Sequence, residues 1–268
     1  TDSLGFATLN PTYKNHFLLP SSFCYIMMSK FRRYEPMLRL ITDFDGPIMN
    51  ISDRYYHVYK LCLAQTRRVK QPITILSKQE FWDLKRSRIP ESQIALKSGL
   101  DEEQTEMFVK IRHQNAHNMS LLVYDQPVPG AVEALQTCQK SGIDLVVMTM
   151  RRSRELDEAL HRCHLRKFFT KNRRYCIGDN YYKTKDIHDK PLLMANAIAS
   201  LPPASKTWMV GDTEADIISA QSQGIPIIAV LSGIRDRAQL EKHKPDLILN
   251  NLAESVEFIL SEKLSKVG

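Results

Sequence analysis

The stretch that decides the fold runs from residue 37 to residue 46 and reads MLRLITDFDG. Its apolar part, Met37 to Phe44, predicts a buried strand. Asp43 and Asp45 lie at the end of that strand, separated by one residue. Ligands of open α/β sheets bind beside the carboxyl ends of the strands, so the pair suits metal-assisted chemistry in which one carboxylate attacks and the other handles a proton. The alternative is that the pair only shapes or caps a turn.

Later apolar runs predict more short strands, separated by helical patterns. The further strands are predicted at Asp144–Thr149, Arg174–Ile177, Thr207–Val210, Pro226–Val230 and, as a candidate, Asp246–Leu249. The helices are predicted at Gly130–Lys140, Ser153–His161, Lys190–Leu201 and Glu214–Gln223. Gly142 and Gly224 lie just past two of these helices, where a C-terminal cap is expected. This alternation favours an α/β fold with a doubly wound, parallel, Rossmann-like sheet.

One long segment interrupts the alternation, between the first and second predicted strands. Residues 52–124 have no convincing strand pattern, and a connection of this length is too long for a simple crossover. Its helices are predicted at Asp53–Thr66, Lys78–Lys85 and Glu102–Asn118, with loops at Gln71-Pro72 and Ile89-Pro90. We therefore expect an N-terminal extension at 1–36, a catalytic α/β core at 37–51 and 125–268, and an inserted, all-helical cap at 52–124.

A second acidic pair follows another predicted strand. Asp212 lies in the turn after the strand, and Asp216 comes four residues later, one turn into the next helix and on the same face. Gly211 is expected to let the backbone turn sharply. Carboxylate oxygens in this arrangement are suitable ligands for Mg²⁺. The alternative is that Asp212 or Thr213 only caps the helix, while Asp216 favours its dipole.

Two further residues lie where a phosphate group can be bound. Thr149 ends a predicted strand, and a hydroxyl there, beside the amides that open a helix, can hold a phosphate oxygen. Lys190 opens a predicted helix and would neutralise phosphate charge, a role that Lys183 or Lys185 could also take. The alternatives are a helix N-cap for Thr149 and an ordinary surface lysine for Lys190.

Four motifs therefore follow one another along the chain: a strand with DxDG, a strand with Thr149, a lysine at a helix start, and a strand with GDxxxD. With this order the chain resembles the haloacid dehalogenase-like (HAD) superfamily, most nearly its phosphoglycolate phosphatase-like branch with a helical cap. The resemblance covers about residues 37–265 and is specific in the four motifs but weak in the cap. It implies a phosphatase with Mg²⁺ as cofactor and a small phosphorylated metabolite as substrate.

The resemblance implies a role for each carboxylate. Asp43 would be the nucleophile that forms an aspartyl-phosphate, and Asp45 would protonate the leaving group and then activate water. Asp43, Asp212 and the backbone carbonyl of Asp45 would hold Mg²⁺. Asp216 would support the metal site directly or through water. Haloacid dehalogenases, phosphonatases and ion-pumping ATPases lack the second aspartate of DxDG, so Asp45 argues against those activities.

The resemblance also implies that Thr149 and Lys190 bind the phosphoryl group. Pro47 departs from the family pattern, which usually has Thr or Val after DxDG. Proline fixes the backbone and removes an amide donor. The departure therefore concerns the turn that leads into the cap, and not the carboxylate pair.

Charge is placed unevenly along the chain, which has 37 Lys and Arg, 30 Asp and Glu, and a formal net charge of +7. Residues 54–97 contain ten basic and three acidic residues, and residues 151–190 contain twelve and six. A basic cap suits an anionic substrate. The candidates for substrate contact, each with a solvated helix face as the alternative, are Arg54, Lys85 and Arg86, followed by Lys60 and Arg88.

Three other functions stay open at this point. A nucleic-acid end phosphatase would explain the positive charge, but no known nucleic-acid-binding motif is present, and nucleic acid is not the expected partner. A sugar phosphomutase would share the DxDG motif. A non-catalytic regulatory protein would have no need to keep repulsive carboxylates together.

Composition limits the class of protein. The chain has 268 residues, of which 43% are hydrophobic and 25% charged, as in globular proteins. Five cysteines without a CxxC pair indicate reduced thiols, not a disulfide framework or a zinc site. No apolar run approaches the roughly 20 residues that span a bilayer, so we expect a cytoplasmic protein with no membrane partner.

Overall fold

The computed structural model describes residues 37–264; the extension expected at 1–36 lies outside the described residues, as do residues 265–268. Within the described range, eight strands form a six-stranded sheet and a two-stranded ribbon. The strands are Leu38–Thr42 (β1), Met49–Asn50 (β2), Gln126–Pro127 (β3), Asp144–Arg152 (β4), Arg174–Ile177 (β5), Lys206–Gly211 (β6), Ile227–Val230 (β7) and Leu247–Leu249 (β8). The ribbon is formed by β2 and β3, which pair antiparallel.

The large sheet has the strand order β5-β4-β1-β6-β7-β8, and all its pairings are parallel. In register, Leu40 of β1 lies beside Leu145 of β4 and Trp208 of β6. The chain builds outward from β1 to one edge and then returns to build outward on the other side. This confirms the predicted doubly wound sheet. The order reverses between β1 and β6, so the ligand crevice is expected at the carboxyl ends of these two strands.

Ten α-helices accompany the strands between residues 37 and 264. Four lie in the inserted segment: Ser52–Thr66 (α1), Lys78–Arg86 (α2), Glu91–Lys97 (α3) and Glu102–Asn115 (α4). The other six are Ala131–Lys140 (α5), Ser153–Arg162 (α6), Asp186–Ser200 (α7), Glu214–Gln221 (α8), Arg237–Glu241 (α9) and Leu252–Leu264 (α10). Short 3-10 helices occupy Met119–Tyr124 and Lys171–Arg173. None of the helices in this range is long and apolar enough to cross a membrane.

Both faces of the large sheet are covered by helices. Successive strand residues point to opposite faces, so Leu40 and Val147 pack with α5, α6 and α10, whereas Ile41 and Val146 pack with α7, α8 and α9. A strand that is buried on both faces needs apolar residues at nearly every position. This requirement explains the continuous apolar runs that identified the strands in the sequence.

The inserted helices bury a hydrophobic cluster of their own. Tyr59, Phe81 and Phe108 are buried in it, and the rings of Tyr59 and Phe81 stack with their centroids 4.7 Å apart. Tyr55 and Trp82 contact both this cluster and the one on the sheet. These aromatic side chains therefore hold the segment together and pack it against the core.

Strand β4 is longer than predicted, and the difference affects the site. We had expected Thr149 to end the strand. The strand continues to Arg152, so Thr149 lies within it. The apolar pattern stops just beyond Thr149, because Met150 is followed by two arginines. Arg151 is nevertheless buried, since carboxylates surround its guanidinium group.

Helix α7 begins earlier than predicted. It starts at Asp186, so Lys190 lies in its second turn and does not open the helix. The prediction placed the start at Lys190 because proline favours the first position of a helix, and Pro191 follows that lysine. Here the proline lies inside the helix instead.

Short elements were missed or misjudged in length. Helix α3 has seven residues and the ribbon strands have two each, which is too short for a periodic pattern. The helix predicted at Glu102–Asn118 ends at Asn115. Gly142 and Gly224 follow their helices with φ of 68° and 62°, as expected for C-terminal caps.

Candidate active site

The carboxylates of the two acidic motifs meet at the carboxyl ends of β1 and β6. Asp43 directly follows β1, and its backbone N–H donates to the carbonyl of Val210 at 2.8 Å. Asp212 directly follows β6, and Asp216 lies in the first turn of α8. One oxygen from each of the three carboxylates lies within 4.8 Å of the others, and all three side chains are buried. The reversal of the strand order thus brings both motifs to one point.

Asp216 is fixed by the start of α8. Its Oδ2 accepts hydrogen bonds from the backbone N–H groups of Asp212 and Thr213, at 3.1 and 3.0 Å, and from the hydroxyl of Thr213 at 2.7 Å. Its Oδ1 faces Lys190. The sequence presented a role at the start of the helix and a role in a metal site as alternatives. In the structure the side chain of Asp216 does both: it is bonded to the start of α8, and it lies beside the carboxylates of Asp43 and Asp212.

Glycines in the motifs make room for these carboxylates. Gly46 has a φ of +92°, and a Cβ there would lie 2.3 Å from the Cγ of Asp212. A Cβ at Gly211 would lie 2.2 Å from the Cγ of Asp216. Our expectation that Gly211 permits a sharp turn was wrong, because its φ is not positive. Space for the neighbouring carboxylate is what requires glycine at that position.

Lys190 is the cation that the protein itself places among the carboxylates. Its Nζ lies 2.9 Å from Oδ1 of Asp43 and 2.5 Å from Oδ1 of Asp216. Burial acts to lower the pKa of Lys190, but the two carboxylates outweigh it, so the pKa is raised and the ammonium stays charged. Lys183 pairs with Asp186 at 2.8 Å, and Lys185 occupies the N-cap position of α7 without a capping hydrogen bond from its side chain. We call Asp43, Asp212, Asp216 and Lys190 the carboxylate cluster.

The carboxylate cluster has more negative than positive charge, and its pKa values reflect this. Burial, with repulsion from Asp216, raises the pKa of Asp212 to about 7. Burial also raises the pKa of Asp43 well above its ordinary range, and Lys190 offsets this only in part. Oδ1 of Asp212 receives no hydrogen bond from any residue in the range 37–264. Leaving a buried carboxylate oxygen without a partner costs free energy.

These residues fit a magnesium ion. Every ligand that the cluster offers is a carboxylate oxygen, the type that Mg²⁺ prefers in proteins. A divalent cation would supply the missing partner of Asp212 and remove the repulsion that raises the pKa values. Asp43, Asp212 and Asp216 are the side chains in position to hold it.

The second aspartate of the first motif lies outside this cluster. Oδ1 of Asp45 accepts from Nε of Arg151 at 2.9 Å and lies 2.6 Å from Nη2 of the same side chain. Burial acts to raise the pKa of Asp45, but Arg151 and Arg54 outweigh it and lower that pKa. Both arginines also contact Asp125, at 2.5 and 2.8 Å. We call Asp45, Asp125, Arg54 and Arg151 the arginine cluster.

A cavity of about 160 Å³ opens between the two clusters. Asp43, Asp45, Thr149 and Lys190 all line it, so the structure brings together the four residues predicted to act on the phosphoryl group. Oγ1 of Thr149 also accepts from the backbone N–H of Arg151 at 3.2 Å. The inserted segment contributes Tyr55 and His117 to the lining, which also includes Ile51, Met150, Arg151, Lys183, Asp186, Asp212, Thr213, Ala215, Ile234 and Arg235.

Pro47 is accommodated without loss of a hydrogen bond. The turn around it is closed by Gly46 N–H donating to the carbonyl of Met49 at 2.8 Å and by Ile48 and Met49 N–H donating to the carbonyl of Phe44. None of these bonds needs a donor at position 47. The departure from the family pattern therefore leaves the turn, and the aspartates before it, intact.

Comparison with known proteins identifies the family. A family model described as haloacid dehalogenase-like hydrolase matches residues 40–230, from within β1 to the end of β7. The chain belongs to this family. The matched range contains all four motifs, so the comparison confirms the resemblance seen in the sequence.

Curated relatives of the HAD-like chain include phosphoglycolate phosphatases and a pyrophosphatase. The phosphoglycolate phosphatase of Pseudomonas fluorescens (strain Pf-5) is 25% identical over 157 residues, which is 58% of this chain and 54% of the relative. Pyrophosphatase PpaX of Bacillus mycoides is 29% identical over 122 residues, which is 46% of this chain and 54% of the relative. The chain spans about half the length of the curated relatives it matches.

Solved structures share the fold of the HAD-like chain. A hydrolase of the haloacid dehalogenase-like family from Streptococcus pneumoniae superposes with a TM-score of 0.59 at 17% identity. The superposition covers 83% of this chain and 98% of that one.

The basic side chains predicted to contact substrate do not line the cavity of the HAD-like chain. Arg54 is 1% exposed and donates to Asp125. Lys85 pairs with Glu91. Arg86 donates to a backbone carbonyl in the loop after β7, at 2.9 Å. Substrate contact by these three residues stays a prediction, and in this structure each of them has a protein partner.

Sequence reasoning missed three residues beside the cavity: Arg151, Asp125 and His117. Arg151 had a usable signal, because residues two apart in a strand point to the same face. Extending β4 by three residues would have placed Arg151 beside Thr149. His117 lies 3.2 Å from the buried Glu155, and neither it nor Asp125 belongs to any local pattern.

Proposed function

We propose that this chain is a magnesium-dependent phosphatase that hydrolyses a small phosphorylated metabolite through an aspartyl-phosphate intermediate. The observation that carries the proposal is the carboxylate cluster, in which buried Asp43 lies beside Asp212, Asp216 and Lys190 at the reversal of the strand order. The curated relatives named as phosphoglycolate phosphatases support the substrate class. A cavity of about 160 Å³ suits a small ester.

In the first half-reaction, Asp43 attacks phosphorus and the ester oxygen leaves. Asp45 gives that oxygen a proton, for which it must be protonated when substrate is bound. The dianionic phosphate group favours this, because negative charge beside a carboxylate raises its pKa. Thr149 and Lys190 hold the phosphoryl oxygens, since phosphoryl transfer depends mainly on positioning and neutralisation of charge.

In the second half-reaction, water attacks the aspartyl-phosphate. Asp45 is now ionised, as its lowered pKa in the free protein favours, and it accepts a proton from the water. The products are inorganic phosphate and regenerated Asp43. Asp45 thus acts first as an acid and then as a base. The substrate phosphate raises its pKa for the first role, and Arg151 and Arg54 lower it for the second.

The metal site would use Asp43, Asp212 and the backbone carbonyl of Asp45, with Asp216 in support. When bound, the ion neutralises charge on the phosphoryl oxygens and orients them for attack. We further propose that residues 52–124 act as a cap over a catalytic core formed by 37–51 and 125–268. Tyr55 and His117, which reach the cavity from the inserted segment, support that division.

The test measures phosphate released by the purified protein with Mg²⁺. The panel includes phosphoglycolate, other small esters, a sugar phosphate and an oligonucleotide with a terminal phosphate. Release from small esters that stops in chelator supports the proposal. Release from the oligonucleotide alone, with strong salt dependence, would identify a nucleic-acid end phosphatase. Isomerisation of the sugar phosphate without release would identify a phosphomutase, and no turnover of any compound would favour a regulatory protein.

A further inference from the structure

We propose that Arg151, Asp125 and Arg54 are positioning residues that hold the carboxylate of Asp45 and make its placement depend on both ends of the inserted segment. The inference rests on the proposed function, in which Asp45 transfers protons to and from the reacting oxygens. It adds three residues to that reaction, none of which is in the motifs that identify the family.

The direct contact is between Arg151 and Asp45. Nε of Arg151 lies 2.9 and 3.2 Å from the two oxygens of Asp45, and Nη2 lies 2.6 Å from Oδ1. A planar guanidinium group that meets a carboxylate through two nitrogens fixes its direction as well as its distance. Arg151 comes from the extended part of β4, two residues after Thr149. It therefore sets Asp45 relative to the phosphate-binding threonine.

Asp125 and Arg54 hold Arg151 in turn. Nη2 of Arg151 donates to Oδ2 of Asp125 at 2.5 Å, and Nε of Arg54 donates to Oδ1 of the same carboxylate at 2.8 Å. Nη2 of Arg54 also lies 3.8 Å from Asp45. The four side chains thus form a closed ring of alternating charge, with each arginine next to both aspartates.

The ring joins the two ends of the inserted segment. Arg54 is the third residue of α1, just after the chain leaves the core, and Asp125 directly precedes β3, where the chain returns. Strand β2 lies just before Arg54 in the chain and β3 just after Asp125, and the two strands pair as the antiparallel ribbon that closes the insertion. Any displacement of α1 relative to the core must therefore move Arg54 against Asp125, and through Arg151 it reaches Asp45.

Burial argues that the arrangement has a purpose beyond stability. Arg54, Arg151 and Asp125 are all at most 2% exposed. Apolar residues of similar volume in place of buried ion pairs are often neutral or stabilising, so stability alone does not require these charges. Asp45 and Arg151 both line the cavity, and the side chain of Asp45, which is 24% exposed, is the more accessible of the two.

The inference makes a specific prediction about the leaving group. An alkyl alcohol needs a proton from Asp45 to depart, whereas 4-nitrophenolate departs without one. The value of kcat/KM reports only the steps up to departure of the leaving group, because the first irreversible step ends there. Losing the correct placement of Asp45 must therefore reduce kcat/KM more for an alkyl phosphate than for 4-nitrophenyl phosphate.

The experiment compares kcat/KM for these two substrates in full-length wild type and variants, with Mg²⁺ present. The alkyl phosphate is the one that wild type hydrolyses fastest. Arg151→Met is expected to lose on the order of 100-fold with the alkyl phosphate and less than about 10-fold with 4-nitrophenyl phosphate. Arg54→Met is expected to lower kcat/KM in the same direction, by about 10-fold with the alkyl phosphate and about 3-fold with 4-nitrophenyl phosphate. Arg151→Lys keeps the charge without the planar fork and is expected to fall between wild type and Arg151→Met.

Arg39→Met is the matched control. Arg39 is also a buried arginine, 3% exposed and paired with Asp144 at 2.8 Å, but it lies in β1 toward the opposite end of the sheet. Its loss is expected to lower the melting temperature and to leave the ratio of the two substrates unchanged. If Arg151→Met does not fold, Arg151→Lys and Arg54→Met are measured in the same way.

Each result decides between the proposals. A larger loss with the alkyl phosphate in the Arg151 and Arg54 variants, but not in Arg39→Met, supports the inference. Equal losses with both substrates overturn it and leave the proposed function standing, because wild type would still be a phosphatase. A wild type that hydrolyses neither substrate overturns the proposed function, and the inference with it.

Discussion

Two groups of buried charge lie side by side at the carboxyl end of the sheet, and they are composed differently. The carboxylate cluster has three carboxylates and the single ammonium of Lys190. The arginine cluster has two carboxylates and two guanidinium groups, and each carboxylate is held by an arginine. Apart from Asp45, whose side chain is 24% exposed, the members of both clusters are buried, so solvent screens their difference in net charge only weakly.

The difference indicates which cluster is complete. Buried charges are tolerated when they are paired and hydrogen-bonded. Both carboxylates of the arginine cluster are paired, although Nη1 of Arg151 has no hydrogen-bond partner among the described residues. The carboxylate cluster leaves Oδ1 of Asp212 without a donor among residues 37–264, and the pKa of Asp212 is raised to about 7. We therefore expect the protein alone to balance the charge of the arginine cluster, and the carboxylate cluster to need a cation.

The largest effect is expected at Asp43. Asp43→Asn removes the nucleophile and should lower kcat for phosphate release at least about 1,000-fold. The matched control is Asp179→Asn, which changes an exposed aspartate in the Gly178-Asp179 turn and should leave kcat unchanged. Circular dichroism should show that both variants are folded. Turnover near the wild-type rate in Asp43→Asn would contradict the assignment of the nucleophile.

The arginine cluster should respond most strongly in stability. Asp125→Asn leaves two buried arginines short of a carboxylate and is expected to reduce the free energy of unfolding by about 3 kcal/mol. Asp157→Asn, which removes an exposed partner of two arginines, should cost less than about 1 kcal/mol. Urea unfolding measures both. If Asp125→Asn reduced the free energy of unfolding no more than Asp157→Asn does, the ion pairs of the arginine cluster would not contribute to stability as proposed.

In the carboxylate cluster, removing a negative charge should increase the free energy of unfolding when no metal is present, whereas in the arginine cluster it should reduce it. Asp212 binds a proton more tightly in the folded state, with a pKa of about 7, than in the unfolded chain, where it is near 3.8. Its contribution to stability therefore falls as the pH rises between these values, because the folded state must lose a proton that it favours. In chelator at pH 8, Asp212→Asn is expected to be more stable than wild type by on the order of 2 kcal/mol, with the gain vanishing near pH 4.

Added Mg²⁺ provides the control for that measurement. It should raise the melting temperature of wild type at pH 8 and have much less effect on Asp212→Asn, because binding to the folded state stabilises it. If Asp212→Asn were less stable than wild type in chelator at pH 8, the carboxylate cluster would be balanced without a metal. The contrast between the clusters would then be wrong.

The smallest effect is expected at Lys85, which lies outside both clusters. Lys85→Met should change KM for the best substrate by less than about 2-fold, since KM rises only when binding interactions are lost. Glu91 keeps a partner in Arg112 at 2.8 Å, so the variant should fold normally. Steady-state kinetics measure the change. A rise of about tenfold would restore Lys85 as a contact of the substrate, in keeping with the sequence prediction.

The candidate residues of the carboxylate cluster were predictable because each lies at a fixed place in a local pattern. Asp43 and Asp212 follow apolar runs, and Asp216 lies four residues into the helix that comes next. Parallel strands end at the same edge, so the order of strands and motifs is enough to bring these side chains near one another. Even so, the boundaries of β4 and α7 were misplaced, because a buried arginine and an internal proline gave misleading signals.

The sequence by itself determined the doubly wound sheet, the inserted helices and the carboxylates that follow β1 and β6, because periodicity and spacing along the chain encode them. Only the tertiary structure decided how the charges are paired. Arg151 meets Asp45 from 106 residues away, and Arg54 meets Asp125 from 71 residues away. Such contacts leave no periodic trace in the chain. Whether a charged side chain is buried beside a partner or solvated on a helix depends on which elements pack around it.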